Sequence, residues 1–141
     1  MRRFFSTSPY WPGGILAAVR IITGLLMIYH GYEVFDDEKM KVYFGWDVFQ
    51  KLPAPVLMIF IGKIVELVAG ILLVIGLFTR IGALLLLFVM IYITFFIGQG
   101  KFWYEDQHPF LFILLSLIFL FIGGGRFSLD HILFSSKSIY K

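Results

Sequence analysis

Residues 56–97 read VLMIFIGKIVELVAGILLVIGL, then FTR, then IGALLLLFVMIYITFFI. Each apolar run approaches the roughly 20 residues that carry an α-helix across a hydrocarbon core about 30 Å thick. The link between them is too short for anything but a helical hairpin, so the spans at 56–77 and 81–97 are expected to run antiparallel. The first of the two carries Lys63 and Glu66 in its interior. Lipid offers such groups no partner, so they must face protein or a ligand.

Outward from this hairpin the same pattern recurs twice. Residues 15–32 are apolar apart from Arg20 and His30, and residues 108–124 form a last apolar run that starts beside Pro109 and ends at Gly123-Gly124-Gly125. Proline suits the first turn of a helix, where its missing N–H would be unpaired anyway. The start, MRRFFSTSPYWPGG, has Arg2 and Arg3 but no apolar h-region, so the first run reads as a span rather than a cleaved signal. Residues 33–55 mix Glu33, Asp36, Asp37, Glu38, Lys39, Lys41 and Asp47 with Tyr43, Phe44, Trp46 and Phe49, as an interfacial helix or loop does. Residues 98–107 form a shorter aromatic and acidic loop. The expected fold is all-α: one domain over residues 1–141, an integral membrane four-helix bundle with antiparallel neighbours.

Composition agrees with this reading. Of the 141 residues 60% are hydrophobic and 15% charged, with a mean hydropathy of +0.89. A water-soluble domain has about 25% charged residues, so the surroundings of this chain must be a lipid bilayer. No length remains for a soluble catalytic module, and any chemistry has to be built among the helices. Cysteine is absent, which excludes thiol and disulfide redox chemistry and thiolate metal sites. The net charge of +3 is scattered, with no basic block suited to phosphate, so nucleic acid is excluded as a partner. Arg2, Arg3, Arg80, Arg126, Lys137 and Lys141 lie with Asp130 on one side of the spans, against Lys39, Lys41, Lys51, Lys101 and most of the acids on the other. The positive-inside rule then puts both termini in the cytoplasm.

Helical phase says where the buried charges point. Ala17, Arg20, Gly24 and Gly31 share one face of the first span, and Gly62, Glu66 and Gly70 repeat every four residues in the second. Small residues mark close helix approach, so these faces point inward. Glu66, near the midpoint of its span, is the candidate catalytic residue. Arg20, Lys63, Tyr92 and His30 are the candidate ligand-binding residues, and no metal is assigned because nothing in the spacing of His30, Glu33 and His108 demands one. A plainer reading stands beside this one: Arg20 and Glu66 form a structural ion pair that fixes helix register, Lys63 snorkels outward, and His30 is a rim residue bonded to water.

Taken together, the residues resemble the DoxX family of small bacterial and archaeal membrane proteins. Arg20, His30-Gly31, Glu66-x-x-x-Gly70-x-x-x-x-x-Gly76-Leu77-x-Thr79-Arg80-x-x-Ala83, Met90 and the closing Gly123-Gly124-Gly125-Arg126-Phe127-Ser128-Leu129-Asp130 carry the likeness. Where that family often has a lysine three residues after His-Gly this chain has Val34, and Lys63 is the candidate cation in its place. The resemblance implies a four-helix bundle in a bacterial or archaeal plasma membrane and an association with redox complexes. Two functions stay open. One is a subunit of a quinone-dependent oxidoreductase, with quinone as cofactor, no metal or thiol cofactor, and a membrane or redox partner protein supplying electrons. The other is a non-catalytic scaffold or assembly factor for a partner complex, and a second copy of the chain is a further candidate partner.

Overall fold

A computed structural model describes residues 11–135; Arg2, Arg3, Lys137 and Lys141, used above for sidedness, lie outside the described residues. The described chain is helical with no strand. Helix α1 spans Pro12–Tyr32, α2 Asp37–Phe44, α3 Asp47–Gln50, α4 Pro55–Ile75, α5 Thr79–Tyr92, α6 Gln107–Ile122 and α7 Leu129–Phe134. A 3₁₀ turn at Glu33–Phe35 follows α1, and α5 continues into a π turn at Ile93–Ile97. The segments Pro12–Phe35, Pro55–Ile75 and Thr79–Ile97 are long and apolar enough to cross a membrane, and Gln107–Ile122 is a shorter apolar helix. The four are compatible with a membrane bundle.

Local chemistry sets the ends. Pro12 and Pro55 open α1 and α4 at the first helical position. Asp36 caps α2 by accepting from the N–H groups of Glu38 and Lys39 at 3.1 and 3.2 Å, and Met40 anchors that helix in the core. Helix α4 stops at Ile75 rather than 77 because Gly76 adopts a left-handed φ of 66° and its N–H returns to the Leu72 carbonyl at 2.9 Å. The turn is therefore Gly76-Leu77-Phe78, and α5 begins at Thr79, two residues earlier than the hydropathy suggests.

Helix α4 lies between α1 and α5, and α6 packs on α5. The contact of α1 with α4 depends on glycine. A Cβ on Gly24 would lie 2.7 Å from the Gly70 carbonyl oxygen, one on Gly70 would lie 2.7 Å from the Gly24 carbonyl oxygen, and one on Gly31 would strike the backbone of Leu67. Backbones this close maximise van der Waals contact where lipid supplies no hydrophobic drive. Gly62 breaks the expected pattern: nothing lies within 4 Å of a Cβ built there, so it makes room instead of a contact. The core runs through Met27, Leu73, Leu86, Met90, Phe112 and Phe119. Large apolar side chains such as Phe96 and Phe121, 66% and 76% exposed, cover the outside. Their solvent is the bilayer.

Candidate intramembrane site

Four charged groups of alternating sign run from the surface into the protein. Lys39 Nζ lies 3.4 Å from Glu33 Oε1, Glu33 Oε2 lies 2.9 Å from Lys63 Nζ, and Lys63 Nζ lies 3.3 Å from Glu66 Oε2. Side-chain exposure is 45% at Lys39, 10% and 11% at Glu33 and Lys63, and 6% at Glu66. Tyr43 donates its hydroxyl to Glu33 at 2.7 Å, and Lys63 Nζ sits 4.6 Å from the centre of the Tyr43 ring. Burial, and then the bond to Glu33, hold the Tyr43 hydroxyl above its ordinary pKa, and the bond to Glu33 raises Lys39 as well. The sum of the four charges is zero. That balance is what allows two carboxylates and a buried ammonium to sit at this depth, since each alone would face a large desolvation cost.

The buried end of the series opens on a cavity of about 1040 Å³. Lys63, Glu66, His30 and Tyr92 contribute polar groups to it, as do Tyr43, Asp47, Glu105, Asp106 and His108, among mostly apolar walls that include Met27 and Phe112. Gly62 lies in the wall, its missing side chain leaving space beside Glu66 one turn away. Trp46 and Phe49, from the segment around α3, close one side. His30 of α1 faces His108 of α6 with ring centres 5.7 Å apart, and His108 rests its edge against Phe112 at 4.9 Å. Four of the five side chains singled out in the sequence thus meet at one cavity. Such a space, apolar with a few converging polar groups, is what a small-molecule site in a helical bundle looks like.

Arg20 is elsewhere. Only 1% exposed, it donates through Nη1 to the carbonyls of Leu73 and of Val74, the latter at 3.2 Å, and through Nη2 to the Phe127 carbonyl at 2.7 Å. The expected ion pair with Glu66 is not formed. Leu73 is seven residues beyond Glu66, roughly 10 Å along the helix axis at about 1.5 Å per residue. Carbonyls in the last turn of α4 have no intrahelical donor and carry the negative end of its dipole, so the guanidinium binds them. Around it the C-terminal segment is fastened to the α4–α5 turn. The Asp130 carboxylate accepts from Phe78 N–H at 2.6 Å and Thr79 N–H at 2.8 Å, while Asp130 N–H donates to the Gly76 carbonyl at 2.9 Å. This capping holds Phe78 in a left-handed conformation, φ 49°, that a bulky residue rarely adopts.

Glu33 and Tyr43 are members of the site that are not among the candidate binding residues, Glu33 being weighed only as a metal ligand with His30 and His108. Both fall in residues 33–55, whose mixed polarity reads as an interfacial loop. The usable signal was local: Asp36 followed by acidic residues is a helix start, and the resulting α2 places Tyr43 ten residues on over Glu33. The spacing of Lys63 and Glu66, in contrast, was directly legible, because residues three apart are helix neighbours.

Comparison with known proteins bears on the same helices. No solved structure matches the chain. Over 123 residues it is 32% identical to an uncharacterized protein of Haemophilus influenzae, an alignment covering 82% of this chain and 88% of the other. Residues 15–99, from α1 through the π turn and so including Arg20, His30, Glu33, Lys63, Glu66 and Tyr92, match the model of the DoxX family. With the apolar helices already described, that match makes the chain a membrane protein of the DoxX family.

Proposed function

We propose that the cavity binds a flat apolar molecule with polar oxygens, a quinone, and that the protein serves as the membrane subunit of a quinone-linked oxidoreductase. The observation that carries this reading is the convergence of Lys63, Glu66, His30 and Tyr92 on one large, mostly apolar space. A quinone ring and tail need apolar walls, its oxygens need hydrogen-bonding partners, and its reduction needs protons. Glu66, whose Oε2 is paired with Lys63 at 3.3 Å, lines the cavity and is a fitting contact for such a group. When bound, the quinone would accept or release electron pairs. The chain's own residues then hold its oxygens, exclude water and keep a carboxylate within reach. Electrons come from a partner protein, since the chain has no cysteine to pass them on.

The arrangement in the membrane belongs to this proposal. The three-residue turn Gly76-Leu77-Phe78 supports antiparallel neighbours, and the basic residues at Arg80 and Arg126 support cytoplasmic termini in a bacterial or archaeal plasma membrane. Gly62 offers the decisive test. Gly62→Phe places a ring in the cavity without meeting anything at Cβ. Purified wild-type protein should gain thermal stability from a decyl-substituted benzoquinone, and the variant should fold and lose that gain. If the wild type responds neither to this quinone nor to its hydroquinone, the ligand site fails and a scaffold role, for which the exposed Trp103 and Tyr104 offer a docking edge, replaces it.

A further inference from the structure

The two carboxylates of the charge series are not equivalent. Glu33 is saturated, with Lys39 at 3.4 Å, Lys63 at 2.9 Å and the Tyr43 hydroxyl at 2.7 Å all delivering protons to it. Glu66 has Lys63 alone as an ion-pair partner, 3.3 Å from its Oε2, and among the described residues no hydrogen bond reaches its Oε1. An ionised carboxylate offers about four lone-pair sites, so Glu66 faces the cavity with acceptor capacity to spare. A buried acceptor left unpaired is costly, and a ligand that satisfies it recovers that cost.

Lys63 cannot reverse this preference. Its ammonium is already shared between Glu33 and Glu66, and its remaining face lies against the Tyr43 ring. The other ionisable groups on the cavity wall are Asp47, Glu105, Asp106, the two histidines and the phenols of Tyr43 and Tyr92, so carboxylates outnumber lysine. Asp106 Oδ2 is a buried acceptor without a hydrogen-bond partner. The polar demand of the cavity is for hydrogen-bond donors.

We infer that the site is built for a ligand that donates a hydrogen bond to Glu66, and that it selects the hydroxyl-bearing hydroquinone over the corresponding quinone. The inference rests on the proposed quinone pocket and specifies which form that pocket prefers. A quinone offers only acceptor oxygens, which would meet the Glu66 carboxylate with repulsion. A hydroquinone presents O–H groups, and a charge-assisted O–H···O⁻ bond is about twice as strong as a neutral one. The imidazoles of His30 and His108 have both donor and acceptor nitrogens and accommodate either form.

The test compares decyl-benzohydroquinone with decyl-benzoquinone on the full-length protein in detergent, under anaerobic conditions, with the fluorescence of Trp46 in the cavity wall as reporter. The hydroquinone should bind at least about tenfold more tightly, and Glu66→Gln should bring the two affinities close together while Glu66→Asp keeps them apart. Equal affinities, or tighter binding of the quinone to the wild type, would overturn the donor preference and leave the pocket reading standing. Failure of both forms to bind would remove the pocket and this inference with it. The wild-type comparison decides the matter even if Glu66→Gln does not fold.

Discussion

Lys63 is the residue on which the buried charge balance turns, because it separates two carboxylates that would otherwise face each other. Lys63→Met should lower the stability of the detergent-solubilised protein by about 3–5 kcal/mol, the usual loss when one partner of a buried pair is removed. Adding Glu66→Gln to it should recover part of that loss, as thermal unfolding of the single and double variants will show. Arg20 and Glu66 should behave differently. They share no partner, so Arg20→Met and Glu66→Gln should destabilise additively within about 0.5 kcal/mol; a coupling above 1 kcal/mol would mean that the two charges sense each other after all. The sequence exposed both charges but only one set of partners. Lys63 and Glu66 advertise their contact by spacing, whereas the carbonyls of Leu73, Val74 and Phe127 that bind Arg20 belong to the backbone and carry no residue type to read.

Among the elements, glycine at one spacing performs two opposite tasks on α4. Gly70 lets α1 approach until the backbones touch, while Gly62, two turns earlier on the same face, holds a cavity open. Gly24→Val or Gly70→Val should therefore cost about 1–3 kcal/mol through overpacking. Gly62→Ala should stabilise by about 0.5–1 kcal/mol, since it only removes the entropic cost of glycine in a helix. Chemical or thermal denaturation of the three variants separates the two roles, and a loss of stability at Gly62→Ala would mean that its surroundings are closed. Periodicity showed which face points inward but could not distinguish contact from space, because that depends on what the facing helices place opposite. The C-terminal fastening is a similar case. Asp130→Ala should cost about 0.5–2 kcal/mol by uncapping α5, a role visible only once residue 130 is seen beside residues 78 and 79, which lie far from it along the chain.

For the whole molecule, composition and hydropathy were sufficient to mark the apolar helices of a membrane protein, three of them long enough to cross a bilayer, because a bilayer imposes length and polarity on each segment separately. The cavity was out of reach of that logic, since its walls come from α1, α4, α5, α6 and the segment around α3 at once. Orientation in the membrane is a further property of the whole, set by where the basic residues gather. Arg80 and Arg126 flank the α4–α5 turn and the end of α6, whereas acids dominate 33–55 and 98–107. A cytoplasmic position for the first group therefore puts Asp47 and Tyr104 outside and Ser135 inside. The absence of cysteine makes the chain its own background for labelling. In intact cells a membrane-impermeant maleimide should modify single cysteines at Asp47 and Tyr104, both at exposed positions, and should reach Ser135→Cys only after the membrane is opened. Labelling of Ser135→Cys alone would invert the protein. If Asp47→Cys and Tyr104→Cys fall on opposite sides, the number of spans between them is odd, and the cavity could not lie where residues 43–49 and 105–108 meet at one level of the bilayer.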